Sequence, residues 1–197
     1  PNTIKAMEFV DKCVKNVMPP ASTMSETGTD VLFGSGKVAM ISQGSWMVSA
    51  FKDNDYIKEH CDVARLPKDA ETGESVSLYN GLGWAAAANT EHPEEAWQLI
   101  EYLGSKEAQE KQAELGVTMS AYTGTSEAWA KSANFNLQAY INMMDDMEIR
   151  PYSRSTVTWE NKNSEILKSV YSGDKTMADA CKEMAEQMNE SLAEEQQ

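Results

Sequence analysis

Apolar residues recur at helical spacing near both ends of this chain and fall in short runs between them. Over residues 2–17, Ala6, Val10, Cys13 and Val17 share one face, which predicts an amphipathic helix stopped by Pro19-Pro20. Thr23-Met-Ser-Glu26 has the form of a capping box and predicts a short helix opening there. Four runs read as extended: Val38–Ile41 after Gly34-Ser-Gly36, Asp62–Leu66 ending at Pro67, Ser75–Tyr79, and Trp84–Ala88. Between the first two, Gly44-Ser45-Trp46 leads into a helix over 45–52, with Ser45 as its cap. Residues 68–74 are polar and form a loop, and Asn80-Gly-Leu-Gly83 breaks the third run from the fourth.

The second half is richer in helix. Pro93 suits a first helical position, followed by Glu94 and Glu95 at the positive helix end. Ala96, Leu99, Ile100 and Leu103 form its apolar stripe, and Trp97 beside it reads as core. His92 stands where a surface cap would. Ser105 caps a further helix to about Leu115, ended by Gly116. Helices are expected over 126–132, 135–147 and 157–171, with a short extended piece at Ile149–Tyr152 and a stop at Gly173. Thr176-Met-Ala-Asp179 caps the last helix, whose stripe is Met177, Cys181, Met184, Met188 and Leu192.

Charge narrows the partners. Acidic residues outnumber basic ones by 31 to 17, a formal net charge of −14, and such a surface repels nucleic acid and anionic lipid. The hydrophobic fraction of 41% is that of a globular chain, with no run near the ~20 residues of a membrane span. Cys13, Cys61 and Cys181 are odd in number and far apart, so they read as free thiols, two of them on apolar helix faces. Neither His60 nor His92 has a triad or metal neighbour in sequence, and no catalytic, metal or cofactor motif is present. Gly81-Leu-Gly83-Trp-Ala-Ala86 fits GxGxxA, but a dinucleotide site needs a helix start there, and helix signals begin only at Pro93. The glycines read instead as a bend, or as a close approach to ligand.

Three of the five tryptophans stand at element ends. Trp46 and Trp159 lie where a loop enters a helix, and Trp84 lies just past the glycine bend. An aromatic face in such a place can pack on the C–H face of a sugar ring, or can plug the core.

The stretch Phe33-Gly-Ser-Gly-Lys-Val-Ala-Met40…Gly44-Ser-Trp46 resembles the extracellular solute-binding proteins of ATP-driven sugar importers (family 1, maltose-binding-protein-like). Leu66-Pro67, Asn80-Gly81, Asn89–Trp97, Tyr102–Gln109 and Arg150-Pro151 through Trp159 extend the resemblance in order over nearly the whole chain. It implies an α/β, helix-rich, periplasmic-binding-protein-like (type II) fold. Residues 1–79 and 119–197 would form the C-terminal lobe, and residues 80–118 a returning segment of the N-terminal lobe, the rest of which is absent. It also implies a function: capture of a sugar or oligosaccharide by closure of two lobes, and delivery to membrane permease subunits. The location implied is extracellular or periplasmic, with anchoring through a lipid-modified Cys ahead of these residues.

By position, the resemblance makes Trp46 a stacking platform and Trp159 a second one. Asn80 and Gly81 match a bend that faces ligand. Tyr79, Arg154 and Tyr122 follow by proximity. No catalytic residue, metal or cofactor is implied. The stripes of residues 80–118 are expected to self-associate or to be unusually mobile in a fragment, since half of the cleft would be missing. Two other readings stay open at this stage, a carbohydrate-active enzyme with paired carboxylates across the sugar and an adhesion or scaffolding module.

Overall fold

The computed structural model describes residues 2–195. In chain order its helices and strands are α1 (Asn2–Asn16), α2 (Ala21–Glu26), α3 (Thr29–Gly34), α4 (Val48–Phe51), α5 (Asp55–His60), β1 (Ser77–Tyr79), α6 (Pro93–Gly104), α7 (Lys106–Glu114), α8 (Ser126–Ala130), α9 (Gln138–Ile141), β2 (Met147–Ile149), α10 (Thr156–Tyr171) and α11 (Met177–Glu194). Single 3-10 turns occupy Ser45–Met47 and Met144–Asp146. The chain divides into two compact units, one made of Pro1–Thr29 with Pro151–Gln197 and the other of Asp30–Arg150. The expected lobe boundaries, near 79/80 and 118/119, both fall inside the second unit.

The first unit is helical. Val170, Met177, Ala180, Cys181 and Met184 form its buried core, with Ile4, Met7, Ile166 and Leu167 packed around them. The α11 stripe is therefore buried from Met177 through Met184, while Leu192 at its far end is exposed. Helix α1 turns a different face inward than its spacing suggested. Ile4 and Met7 meet the core, whereas Val10 and Val17 are exposed. Apolar residues lie on more than one side of α1, so the partner surface selects the stripe. Thr176 caps α11 as expected, its hydroxyl oxygen accepting from the Asp179 N–H at 3.1 Å. Gly173 ends α10 at φ +89°, a conformation that costs a residue with a Cβ. Helix α2 starts directly after Pro20, so Thr23–Glu26 lies within it rather than capping it. A proline pair that breaks one helix leaves the next free to begin at once.

The second unit is built on Phe33, Val48, Ile57, Ala113, Trp129, Phe135 and Leu137. Its sheet has two strands, β1 and β2, paired in parallel with Ser77 opposite Met147, Leu78 opposite Glu148 and Tyr79 opposite Ile149. Of the four runs expected to be extended, only Ser75–Tyr79 yields a strand. Val38–Ile41, Asp62–Leu66 and Trp84–Ala88 lie outside strands. Val38, Ile41 and Val63 nonetheless pack against the core. Their burial is satisfied by side chains alone, and a ladder needs a neighbouring strand as well. Residues 135–147 form α9, the 3-10 turn and the first residue of β2 rather than one helix.

Two helix starts in this unit depart from expectation. Gly44, not Ser45, stands at the cap before Trp46, with backbone φ −82° and ψ 164°. His92 occupies the cap position of α6 without a side-chain cap bond, and Pro93 with Glu94 and Glu95 supports that start instead. Ser105 does cap α7, accepting from the Ala108 N–H at 3.3 Å, and Gly116 follows it at φ +66°. Trp97 is 62% exposed, not core, and no residue of α6 is buried. Ala96, Ile100 and Leu103 of the α6 stripe are half-buried and Leu99 is exposed, so periodicity alone could not place the stripe fully inside.

All three cysteines are free, with Cys181 buried and Cys13 and Cys61 half-buried. No helix among the described residues is long and apolar enough to cross a membrane.

Candidate functional site

Trp46 sits in the 3-10 turn that leads into α4, and its side chain is 55% exposed. The turn is pinned on both sides. Two residues on, Val48 is buried in the core. Three residues before, the Gln43 carbonyl accepts from the Tyr140 O–H at 3.1 Å, and the Gln43 side-chain oxygen accepts from the Gly44 N–H at 3.2 Å. Tyr140 in turn stands edge-on to the buried Trp129, with ring centroids 5.8 Å apart and an interplanar angle of 74°. Burial raises the Tyr140 phenol above its ordinary pKa. A contiguous path thus runs from the core through Tyr140 and Gln43 to the exposed indole.

The indole folds back over Gly44. A Cβ built there would lie 2.0–2.4 Å from three atoms of the Trp46 six-membered ring. The Gly44 backbone is one that any residue adopts, so only the missing side chain permits this ring position. Gly44→Ala is therefore expected to swing the Trp46 ring away at little cost in stability, and to weaken any ligand stacked on it several-fold. Calorimetry of that variant beside an unfolding curve checks both halves.

Tyr79 ends β1, and its carbonyl accepts weakly from the Arg150 N–H at 3.5 Å. Its ring is half-exposed and lies over Gly81, where an added Cβ would come within 3.9 Å of it. Asn80 and Gly81 are exposed, as is Trp84 beyond the bend. Tyr122 is exposed on a loop held by hydroxyls. The Ser120 hydroxyl oxygen accepts from the Tyr122 N–H at 3.1 Å, and the buried Thr125 donates to the Tyr122 carbonyl at 2.7 Å. The Trp46, Tyr79 and Tyr122 rings do not stack on one another; the ring pairs in this unit are Phe33–Phe51, Tyr56–His60 and Trp129–Tyr140.

Two open hollows of about 320 and 330 Å³ indent this unit. One is bordered by Lys52, Lys58 and Asn134; the other, lined by Val31, Met47, Phe51 and Ile57, lies beside the Trp46 turn without including Trp46.

Arg154 and Trp159 belong to the other unit, at the entry to α10. Arg154 is exposed. Trp159 is only 8% exposed, and its indole N–H donates to the Ser153 hydroxyl at 3.0 Å. The same hydroxyl donates to the Glu195 carboxylate at 2.7 Å. That carboxylate also accepts from the Arg154 N–H at 3.1 Å, the Ser155 N–H at 2.6 Å, and the Ser155 hydroxyl. The hydroxyls of Ser155 and Ser153, then the two backbone donors, hold the Glu195 carboxyl down at about 2. Nothing local in the sequence flags this cradle, because its two halves lie some forty residues apart.

Among the described residues no cluster of three or more His, Cys, Asp or Glu side chains could hold a metal ion.

The model of a family described as "Bacterial extracellular solute-binding protein" matches residues 1–143. No curated protein matches the chain. Among solved structures it is similar to the ABC substrate-binding protein Lmo0181 from Listeria monocytogenes, in complex with cycloalternan, at a TM-score of 0.80 and 14% identity. That match covers 98% of this chain and 50% of the Listeria protein, so the chain spans about half that protein's length. At such an identity the likeness is one of fold.

Proposed function

We propose a function from one premise: this chain belongs to the bacterial extracellular solute-binding proteins. It serves in the capture of a sugar or oligosaccharide outside the cytoplasmic membrane and in its delivery to the permease subunits of an ABC importer. The observation that carries the sugar class is Trp46, an exposed indole on a turn braced from the core through Tyr140 and Gln43. A rigid, half-open aromatic face suits the C–H surface of a pyranose and needs no charge on the ligand. The Listeria protein of similar fold, solved with a cyclic oligosaccharide, supports the same class.

The proposed contact residues of the Asp30–Arg150 unit are Trp46, Tyr79, Asn80, Gly81 and Tyr122; Arg154, on the loop in front of Trp159, is the one proposed for the other unit, taken by itself. In the whole protein, residues 1–79 and 119–197 serve one lobe and 80–118 the other. Ligand that touches both lobes only when they are closed shifts the population toward closure, and the closed form is what a permease reads. The protein performs no chemistry on its ligand. A lipid anchor holds it near the permease.

The test is a panel of malto-oligosaccharides, cycloalternan, disaccharides, amino acids and peptides against the protein at its full native length. Thermal shift is read first, then calorimetry. One class of sugar should raise the melting point and be recovered unchanged after incubation. A panel in which only amino acids or peptides bind, or in which the sugar is hydrolysed, overturns the reading.

A further inference from the structure

We infer that Glu195 is a positioning residue for the α10 entry: its carboxylate holds the Ser153–Ser155 loop, and through the Ser153 hydroxyl it holds the Trp159 indole. The chain of bonds has one polarity. The Trp159 N–H can only donate, so the Ser153 oxygen accepts from it. The single Ser153 proton is then directed at Glu195. The carboxylate gathers that hydroxyl, the Ser155 hydroxyl and the N–H groups of Arg154 and Ser155, all from one short loop. No described ion pair involves Glu195, so the hold is one of directed hydrogen bonds to an anion, the stronger kind. The depressed Glu195 pKa agrees, since every one of those donors favours the charged form.

The consequence is that the residue capping the end of α11 sets the geometry of a loop some forty residues earlier. Arg154 is carried on that loop with its side chain in solvent and its backbone N–H bound. A neutral amide at 195 keeps the size of the side chain. In either orientation it sets a donor against a donor, against the Arg154 N–H on one side or the Ser155 N–H and the two serine hydroxyls on the other, so the loop and the indole should both loosen. That this loop meets ligand rests on the sugar-capture reading; that Glu195 holds it does not.

The experiment compares wild type, Glu195→Gln and Glu195→Asp at full native length. The first readout is indole N–H hydrogen exchange by NMR, with the Trp159 signal assigned through Trp159→Phe. In Glu195→Gln the Trp159 indole should exchange at least tenfold faster, while the Trp46, Trp84, Trp97 and Trp129 signals stay put. Glu195→Asp, which keeps the charge, should restore most of the protection. Unchanged Trp159 exchange in Glu195→Gln, or equal acceleration of all five indoles, overturns the assignment. The second readout is affinity for maltotetraose and cycloalternan, expected to fall at least threefold in Glu195→Gln and to recover in Glu195→Asp. A loosened indole with unchanged affinity overturns the ligand role of the loop. If the wild type binds no sugar, the capture reading fails, and the indole readout alone decides the role of Glu195.

Discussion

Replacing Trp46 with alanine is expected to weaken binding of the sugar class proposed as ligand at least tenfold, about 1.4 kcal/mol, with the unfolding transition nearly unmoved. The two halves of that result come from one geometry. The indole is 55% exposed, so its removal takes little apolar surface out of the interior. Surface changes of that kind usually stay within about 0.5 kcal/mol of wild-type stability. The turn that carries it keeps its anchors, because the Tyr140 bond goes to the Gln43 backbone and the core contact goes through Val48. What disappears is the ring face itself and its fixed position over Gly44. Calorimetry with the sugar found by the panel, paired with a urea curve, is the measurement. A stability loss of ~3–5 kcal/mol, the cost of truncating a core tryptophan, would show that Trp46 is packed inside.

Trp129→Ala should give the opposite outcome, a stability loss of ~3–5 kcal/mol. Trp129 is fully buried, at 0% exposure, and is the largest side chain in the core of its unit. Its loss opens a cavity among Phe33, Phe135 and Leu137 and removes the edge on which Tyr140 rests. Tyr140 holds Gln43, so sugar affinity should also fall in whatever fraction remains folded. Trp129→Phe should cost less. It keeps an aromatic ring in the cavity and removes an indole N–H that is buried without a hydrogen-bond partner. Denaturant curves for the two variants check the order, and an alanine variant as stable as wild type would contradict the packing.

These two tryptophans also mark what sequence could and could not separate. Trp46 was legible as unusual because Gly-Ser-Trp at a helix entry has no place on a periodic stripe. Trp129 lies within a short helix with nothing local to distinguish it, and only the convergence of Phe33, Phe135 and Leu137 makes it the centre of a core. Trp97 shows the reverse. Its position beside a strong stripe pointed inward, yet it is exposed, because a stripe is buried only where another surface lies against it. Trp159, one of two expected platforms, has its ring inside and its loop outside, a distinction set by Ser153 and Glu195 together.

By itself the sequence determined the local events. The spans of α1, α6, α7, α10 and α11, the caps at Ser105 and Thr176, and the stops at Gly116 and Gly173 depend on neighbours within four residues, where spacing, hydroxyls and the absence of a Cβ act directly. The order of its loose motifs carried the family as well. Only the tertiary structure decided which extended runs became strands, since β1 needed β2, seventy residues away, to pair with. It also decided which face of α1 is buried and how the Trp46 turn is braced from Tyr140. Each of these joins residues far apart in the chain, and the free energy of such a contact belongs to the pair, so neither partner's local sequence contains it.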